Sequence, residues 1–328
     1  MKTIVFFNNK GGVGKTSLVY HLAWMFADRG IPVMAADFDP QANLTSMFLD
    51  EERLEQLWLN EIGRETVFGA IEPVLRGIGD IAKPHLEKIN DNLHLIPGDL
   101  GLSSFEDKLS DAWPRCHNGD EAAFRATSSF YRIIERGEAV GARLALLDVG
   151  PNLGAINRAA LIASDLVYLP LAPDLFSLQG LKNLGPTLRV WRKSWEKMLP
   201  EAPRNLSLPK GRMQPSGYIV MQYGMRESRP VKAYQKWLKR IPDVYRESVL
   251  YENAAKSLAP EKDPYALALL KHYRSLMPMA MESRKPMFFL QPADGAIGAH
   301  TEAVSACYSD FRSLAIKIAG HCGLPMEL

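Results

Sequence analysis

Asn8-Asn9-Lys10-Gly11-Gly12-Val13-Gly14-Lys15-Thr16-Ser17 stands between two stretches of different periodicity. Before it, Thr3-Ile4-Val5-Phe6-Phe7 is an unbroken apolar run that reads as a buried strand. After it, Leu18, Val19, Leu22, Ala23 and Phe26 recur at the spacing of one helix face. A strand, a glycine-rich turn and a helix opening on Gly-Lys-Thr is the setting of a phosphate-binding loop. Glycines let the chain curl so that successive N–H groups point at one anion. The helix start adds about half a positive charge beneath that anion. On this reading Gly11, Gly12, Val13, Gly14, Lys15, Thr16 and Ser17 line a triphosphate. Lys15 would reach the β- and γ-phosphates, and the Thr16 hydroxyl would hold Mg²⁺.

The loop departs from the usual pattern. Asn9 stands where a glycine is usual, five residues before Gly14, and a second lysine, Lys10, precedes the glycines. The stretch resembles the deviant Walker A box, Lys-Gly-Gly-x-Gly-Lys-Thr, of the ParA/MinD family of ATPases. That resemblance implies ATP and Mg²⁺ as ligands and a homodimer with ATP sandwiched in it. Lys10 would then cross the interface and place positive charge on the partner's phosphates, where phosphoryl transfer develops negative charge.

A second short apolar run, Ile31 to Ala36, ends in Asp37-Phe38-Asp39-Pro40-Gln41-Ala42-Asn43. Carboxylates just past a strand's C-terminal end lie at the ligand edge of a parallel sheet. The stretch is similar to the family's switch, Asp-x-Asp-Pro-Gln-x-Asn, which implies that Asp39 orients or deprotonates the attacking water and that Asp37 supports the Mg²⁺ water shell. Asp39 can also cap the following helix. Arg143-Leu144-Ala145-Leu146-Leu147-Asp148 is an apolar strand closed by a carboxylate, a Walker B arrangement that completes a Mg²⁺ set of Thr16, Asp39 and Asp148. The family continues Asp-x-Pro-Pro; here Val149-Gly150-Pro151-Asn152 follows, and Gly150 loosens the turn.

Further along, Asp165 to Pro170 reads as a strand leading through Asp174 into a helix containing Phe176 and Leu181. The family places that helix across the dimer. Ser216 to Met221 reads as another strand, and its tip, Gln222, falls where relatives contact adenine. Lys285 to Phe289 reads as a last strand. Pro292 and Asp294 after it match a family loop that closes over the base. A final helix is expected from about Thr301 to Ala319. Strands alternating with helices imply an α/β fold of the P-loop NTPase kind, a mainly parallel twisted sheet with helices on both faces. One domain over residues 1–328 is expected, with helical elaborations about 46–90, 110–136 and 240–285, and a loop over 110–120.

Composition narrows the classes. Of 328 residues, 47% are apolar, the ordinary share of a globular domain. No apolar run approaches the ~18 residues of a membrane span, and the opening strand is not a signal peptide. Cys116, Cys307 and Cys322 are widely spaced, which argues for a reducing cytoplasm and against a metal cluster. The formal net charge of +2 conceals an asymmetry: from Lys182 to Arg240 there are fourteen basic residues against three acidic ones. A basic stripe is the footprint of a phosphate-backbone partner. Trp191, Trp195 and Trp237 lie among these charges and read as core residues.

The resemblance implies a ParA-like partition ATPase with weak basal hydrolysis. It would bind DNA non-specifically as an ATP dimer, associate with the nucleoid, and answer to a ParB-like or other cargo adaptor. Arg226, Arg229, Lys232 and Lys236 are the expected DNA contacts, because they cluster before and on one helix. Two rivals are a MinD-like membrane-associated ATPase and an ATP-dependent biosynthetic ligase on the same fold. The last helix, apolar at Cys307, Phe311, Leu314 and Ile318 with only Arg312 and Lys317 basic, reads as packed and not as a membrane foot. A scaffold that uses ATP only to dimerise is a third.

Overall fold

The structure, a computed structural model, describes residues 1–59, 64–223, 225–226, 229–230, 232–253, 258–273 and 275–326, with side chains described outside 222–234. Its strands are β1 (Lys2–Phe6), β2 (Val33–Asp37), β3 (Glu87–Asn90), β4 (Leu93–Ile96), β5 (Leu144–Asp148), β6 (Leu166–Leu171), β7 (Gln214–Tyr223), β8 (Met225–Arg226), β9 (Arg229–Pro230) and β10 (Ala266–Lys271). Eight of them form one sheet in the order β10-β7-β6-β1-β5-β2-β4-β3. Every neighbouring pair is parallel except β3 with β4. β8 and β9 make a separate two-stranded ladder.

Both faces of the sheet are buried, which is why its central strands are apolar without alternation. Ile4 and Phe6 enter one core while Val5 and Phe7 enter the other. The helices are α1 (Lys15–Asp28), α2 (Asn43–Phe48), α3 (Glu51–Leu59), α4 (Val67–Arg76), α5 (Phe105–Arg115), α6 (Glu121–Thr127), α7 (Ser129–Glu135), α8 (Ala155–Ile162), α9 (Leu175–Met198), α10 (Lys232–Leu238), α11 (Ile241–Tyr245), α12 (Leu276–Ser283) and α13 (Ala299–Cys322). α4 to α9 cover the face of Val5; α1, α12 and α13 cover the face of Phe6. This is the three-layer α/β architecture of a P-loop NTPase.

Three expectations are corrected. Lys285 to Phe289 is not a strand: Met287–Phe289 is a 3-10 turn, and the Met287 N–H donates to the His21 Nε2 at 3.1 Å instead of entering a ladder. A short apolar run buried under a helix looks the same in sequence as a buried strand. The outer strand is β10, within the stretch expected to be helical, and only two of its six residues are buried. Residues 110–120 are not a loop: α5 carries Pro114 in its last turn, and Cys116–Asn118 continues as a 3-10 turn. The terminal helix is packed as expected, with Cys307, Phe311, Leu314 and Ile318 buried. Among the described residues no helix is long and apolar enough to cross a membrane.

Candidate nucleotide site

The C-terminal ends of β1, β2 and β5 meet at one edge of the sheet, and each carries part of the site. The loop after β1 turns at Gly12 (φ 71°) and Gly14 (φ 84°), left-handed conformations that favour glycine. Asn8 anchors it from beneath: its amide donates to Pro170 O at 2.6 Å and its Oδ1 accepts from Lys10 N at 2.9 Å. Asn9, the departure from the usual loop, lies against α9. A methyl group at Gly180 would stand 2.8 Å from Asn9 Oδ1 and would push that side chain aside.

Lys15 is 7% exposed, and its ammonium reaches Lys10 O at 3.5 Å. Burial lowers its pKa, opposed by the charges of Asp148 and Asp39. Lys10 points elsewhere: its ammonium pairs with Asp174 and lies 5.8 Å from the centre of the Phe176 ring. Asp174 also caps α9, accepting from Ser177 N at 2.8 Å. Burial would raise the pKa of its carboxyl, but the Lys10 and Ser177 donors outweigh it and hold the group below the usual range.

Three carboxylates gather beside Lys15 and Thr16. Asp37 and Asp148 sit opposite each other in the β2–β5 register, both fully buried. Asp37 accepts from Thr45 N at 2.8 Å, from the Thr45 hydroxyl at 2.7 Å and from Asp39 N at 3.3 Å. Its oxygens are thus committed to bracing the switch segment. Neither oxygen of Asp148 accepts a well-formed hydrogen bond. Burial raises the pKa of both, with Asp37 adding to Asp148 and Asp39 adding to each. At Asp148 the Thr16 hydroxyl and the Lys15 charge oppose this only in part. Asp39 turns its Oδ1 back to Gln41 N at 3.0 Å and lines the cavity.

A buried carboxyl with no well-placed donor suits a cation or its water shell. Among the described residues there is no cage of three His, Cys, Asp or Glu ligands. Mg²⁺ keeps waters and phosphate oxygens and is held through one or two carboxylates. Thr16, Asp39 and Asp148 therefore fit the ion.

The cavity over the loop measures about 580 Å³, within the range of small-ligand sites. Gly11, Gly12, Gly14, Lys15, Thr16, Ser17 and Asp39 line it, while Val13 is buried beneath. Pro292 and Asp294 do not line it; Asp294 instead pairs with Lys285 at 2.8 Å. The side chain of Gln222 lies outside the described residues, as do those of Arg226, Arg229 and Lys232. Lys236 is exposed beside Trp237, and Trp191 and Trp195 are buried as expected. Tyr20, Met47, Met277, Met281 and Arg284 also line the cavity, and no sequence signal marks them. Tyr20, Met47, Met277 and Met281 come from helix faces whose apolar residues look like any core stripe, and Arg284 follows the end of α12.

Fold and loop together define a P-loop nucleotide-binding protein. A family described as an AAA domain matches residues 1–200. The chain belongs to this family of P-loop ATPases, in its ParA-like partition branch. It is 25% identical over 262 residues to the chromosome partitioning protein ParA of Caulobacter vibrioides, covering 79% of this chain and 84% of that one. Solved structures share the fold. Protein DIP2308 of Corynebacterium diphtheriae matches with a TM-score of 0.66 at 23% identity, over 97% of both chains. A singly substituted McdA of Cyanothece, solved as its ATP complex, matches at 0.63 and 15% identity, over 100% of this chain and 98% of that one. The cobyrinic acid a,c-diamide synthase of Mycobacterium smegmatis, solved with ADP and magnesium, matches at 0.52 and 20% identity, over 74% of this chain and 82% of that one. The fold thus hosts more than one chemistry, and the choice among them rests on the site.

Proposed function

We propose that this chain is an ATP-driven partition or positioning ATPase that dimerises over ATP and binds DNA without sequence preference in that state. One observation carries the reading: a single loop bears two lysines with different tasks. Lys15 is buried against the acidic floor, where β- and γ-phosphates would lie. Lys10 faces outward beside the exposed Leu175 and Phe176, at the sheet edge that also exposes Leu153. An apolar rim around a cation at the mouth of a phosphate site suits a second copy of the chain.

In that dimer Lys10 would leave Asp174 and reach the partner's phosphates. Mg²⁺, when bound, would neutralise the β- and γ-phosphate oxygens. Thr16 and Asp148 would hold the ion's shell, and Asp39 would orient water toward the γ-phosphate. Asp37, fixed by Thr45, keeps Asp39 in place. Hydrolysis would be slow alone and faster with an adaptor, and the ADP form would release DNA.

DNA binding rests on the basic segment. Lys182, Arg189, Lys193 and Lys197 lie exposed along α9, and Lys236, Lys239 and Arg240 lie exposed about α10. Arg226, Arg229 and Lys232 remain proposed contacts of the same surface.

Substitution tests the reading. Lys15→Ala should abolish ATP binding. Lys10→Ala should keep ATP binding yet lose dimerisation and turnover. Asp39→Ala should trap an ATP dimer on DNA. Full-rate hydrolysis by Lys10→Ala would overturn the trans-lysine mechanism.

A further inference from the structure

Much of the cavity lining beyond the phosphate loop comes from α12 and the two residues after it. Met277, Ala280 and Met281 form an apolar wall, and two cations follow, Arg284 and Lys285. Lys285 is committed, with its ammonium 2.8 and 2.9 Å from the two oxygens of Asp294. Arg284 is not: its guanidinium has no ion pair or hydrogen bond among the described residues.

The backbone at Arg284 is unusual. It ends α12 at φ 50°, ψ 42°, in the left-handed region. That position generally falls to glycine or asparagine, because a β-carbon there crowds the carbonyl. A long charged side chain at a strained cap, unpaired and lining a ligand cavity, is the kind of outlier that points to binding.

We propose that Arg284 is a nucleotide-binding residue that holds the nucleoside end of the ligand, with Met277 and Met281 as the apolar surface beneath. This rests on the nucleotide reading above. The loop, Lys15 and Thr16 account for the phosphates, and the α12 wall is an apolar part of the remaining lining against which a base and ribose can pack. A planar guanidinium stacks on an aromatic face, and thioethers pack well against rings. Met277 and Met281 offer no strong hydrogen-bonding groups, so this part of the site holds a base by contact.

The test is calorimetric titration of ATP, ADP and tripolyphosphate into the full chain, its Arg284→Gly variant and its Arg284→Asn variant. Both substitutions suit a left-handed cap and remove the charge. The expected result is an affinity loss of about tenfold for ATP and ADP in both variants. Tripolyphosphate binding should stay within about twofold, and the melting temperature of nucleotide-free Arg284→Gly should be unchanged or higher. Unchanged ATP affinity would overturn the proposal. So would an equal loss for tripolyphosphate, which would make Arg284 a phosphate contact, or a lowered melting temperature in both variants, which would make it structural. A wild-type chain that binds neither nucleotide would overturn the ATP reading itself, and this role with it.

Discussion

His21 is fully buried about two turns into α1, and its two nitrogens are spoken for. Its Nδ1 faces Ser17 O at 2.6 Å, and its Nε2 accepts from Met287 N at 3.1 Å, so the neutral ring donates on one side and accepts on the other. Burial lowers its pKa to about 4 from 6.5. The unfolded chain therefore takes up this proton first, and stability falls as pH drops from about 6.5 through about 4. The loss amounts to about 3 kcal/mol at full extent. The raised carboxyls of Asp37 and Asp148 act in the opposite sense over this range, so the His21 term is read as a difference: between pH 7 and pH 4.5 in urea unfolding the wild type should lose more stability, or gain less, than His21→Phe, which should itself cost about 1–2 kcal/mol at pH 7, since the Met287 N–H loses its acceptor. Equal pH dependence in both proteins would refute the assignment. Gly98 is a second sensitive position. A methyl there would stand 2.8 Å from Asp37 Cγ, and the Gly98 N–H donates to the Thr45 hydroxyl at 2.7 Å. Gly98→Ala should cost about 1–3 kcal/mol, read as a lowered urea midpoint.

Among the elements, α9 shows how closely local structure and site are joined. Asp174 caps it and also holds Lys10. Asp174→Ala should cost about 1 kcal/mol through the lost cap, whereas Asp174→Asn should retain most of that stability while releasing Lys10. Thermal unfolding of the two variants separates the roles, and equal losses would mean that the ion pair, not the cap, stabilises this end. The same scale explains what can be read in the sequence. The β1-loop-α1 unit is legible because strand period, glycine placement and helix period change within a few residues of one another. Asp39 and Asp148 are legible because each closes a buried strand. β10 is not, since an edge strand with partly exposed residues carries no clean period, and Lys285 to Phe289 competes for the same place. β3 carries no signal because its four residues, Glu87–Asn90, are polar or half exposed. The α12 wall is invisible because Met277, Ala280 and Met281 differ in no way from a core stripe until the chain is folded.

At the scale of the whole molecule, two surfaces bear on function. Lys182, Arg189, Lys193 and Lys197 are exposed along α9 and Lys236, Lys239 and Arg240 about α10, while Leu153, Leu175 and Phe176 are exposed in the segments that follow β5 and β6. If the basic surface neutralises phosphates, DNA affinity of the ATP form should fall linearly in a log–log plot against salt. Lys236→Glu should then reduce the slope by about 0.9 or more, since one neutralised phosphate contributes about that much. An unchanged slope would exclude Lys236 from the contact. The account as a whole turns on the apolar edge meeting its own copy. Sedimentation velocity of the wild-type chain and Lys10→Ala, each with Mg²⁺ and a non-hydrolysable ATP analogue, tests this most directly. The account predicts a nucleotide-dependent dimer for the wild type and a nucleotide-bound monomer for Lys10→Ala; a wild-type chain that binds the analogue and stays monomeric would contradict it.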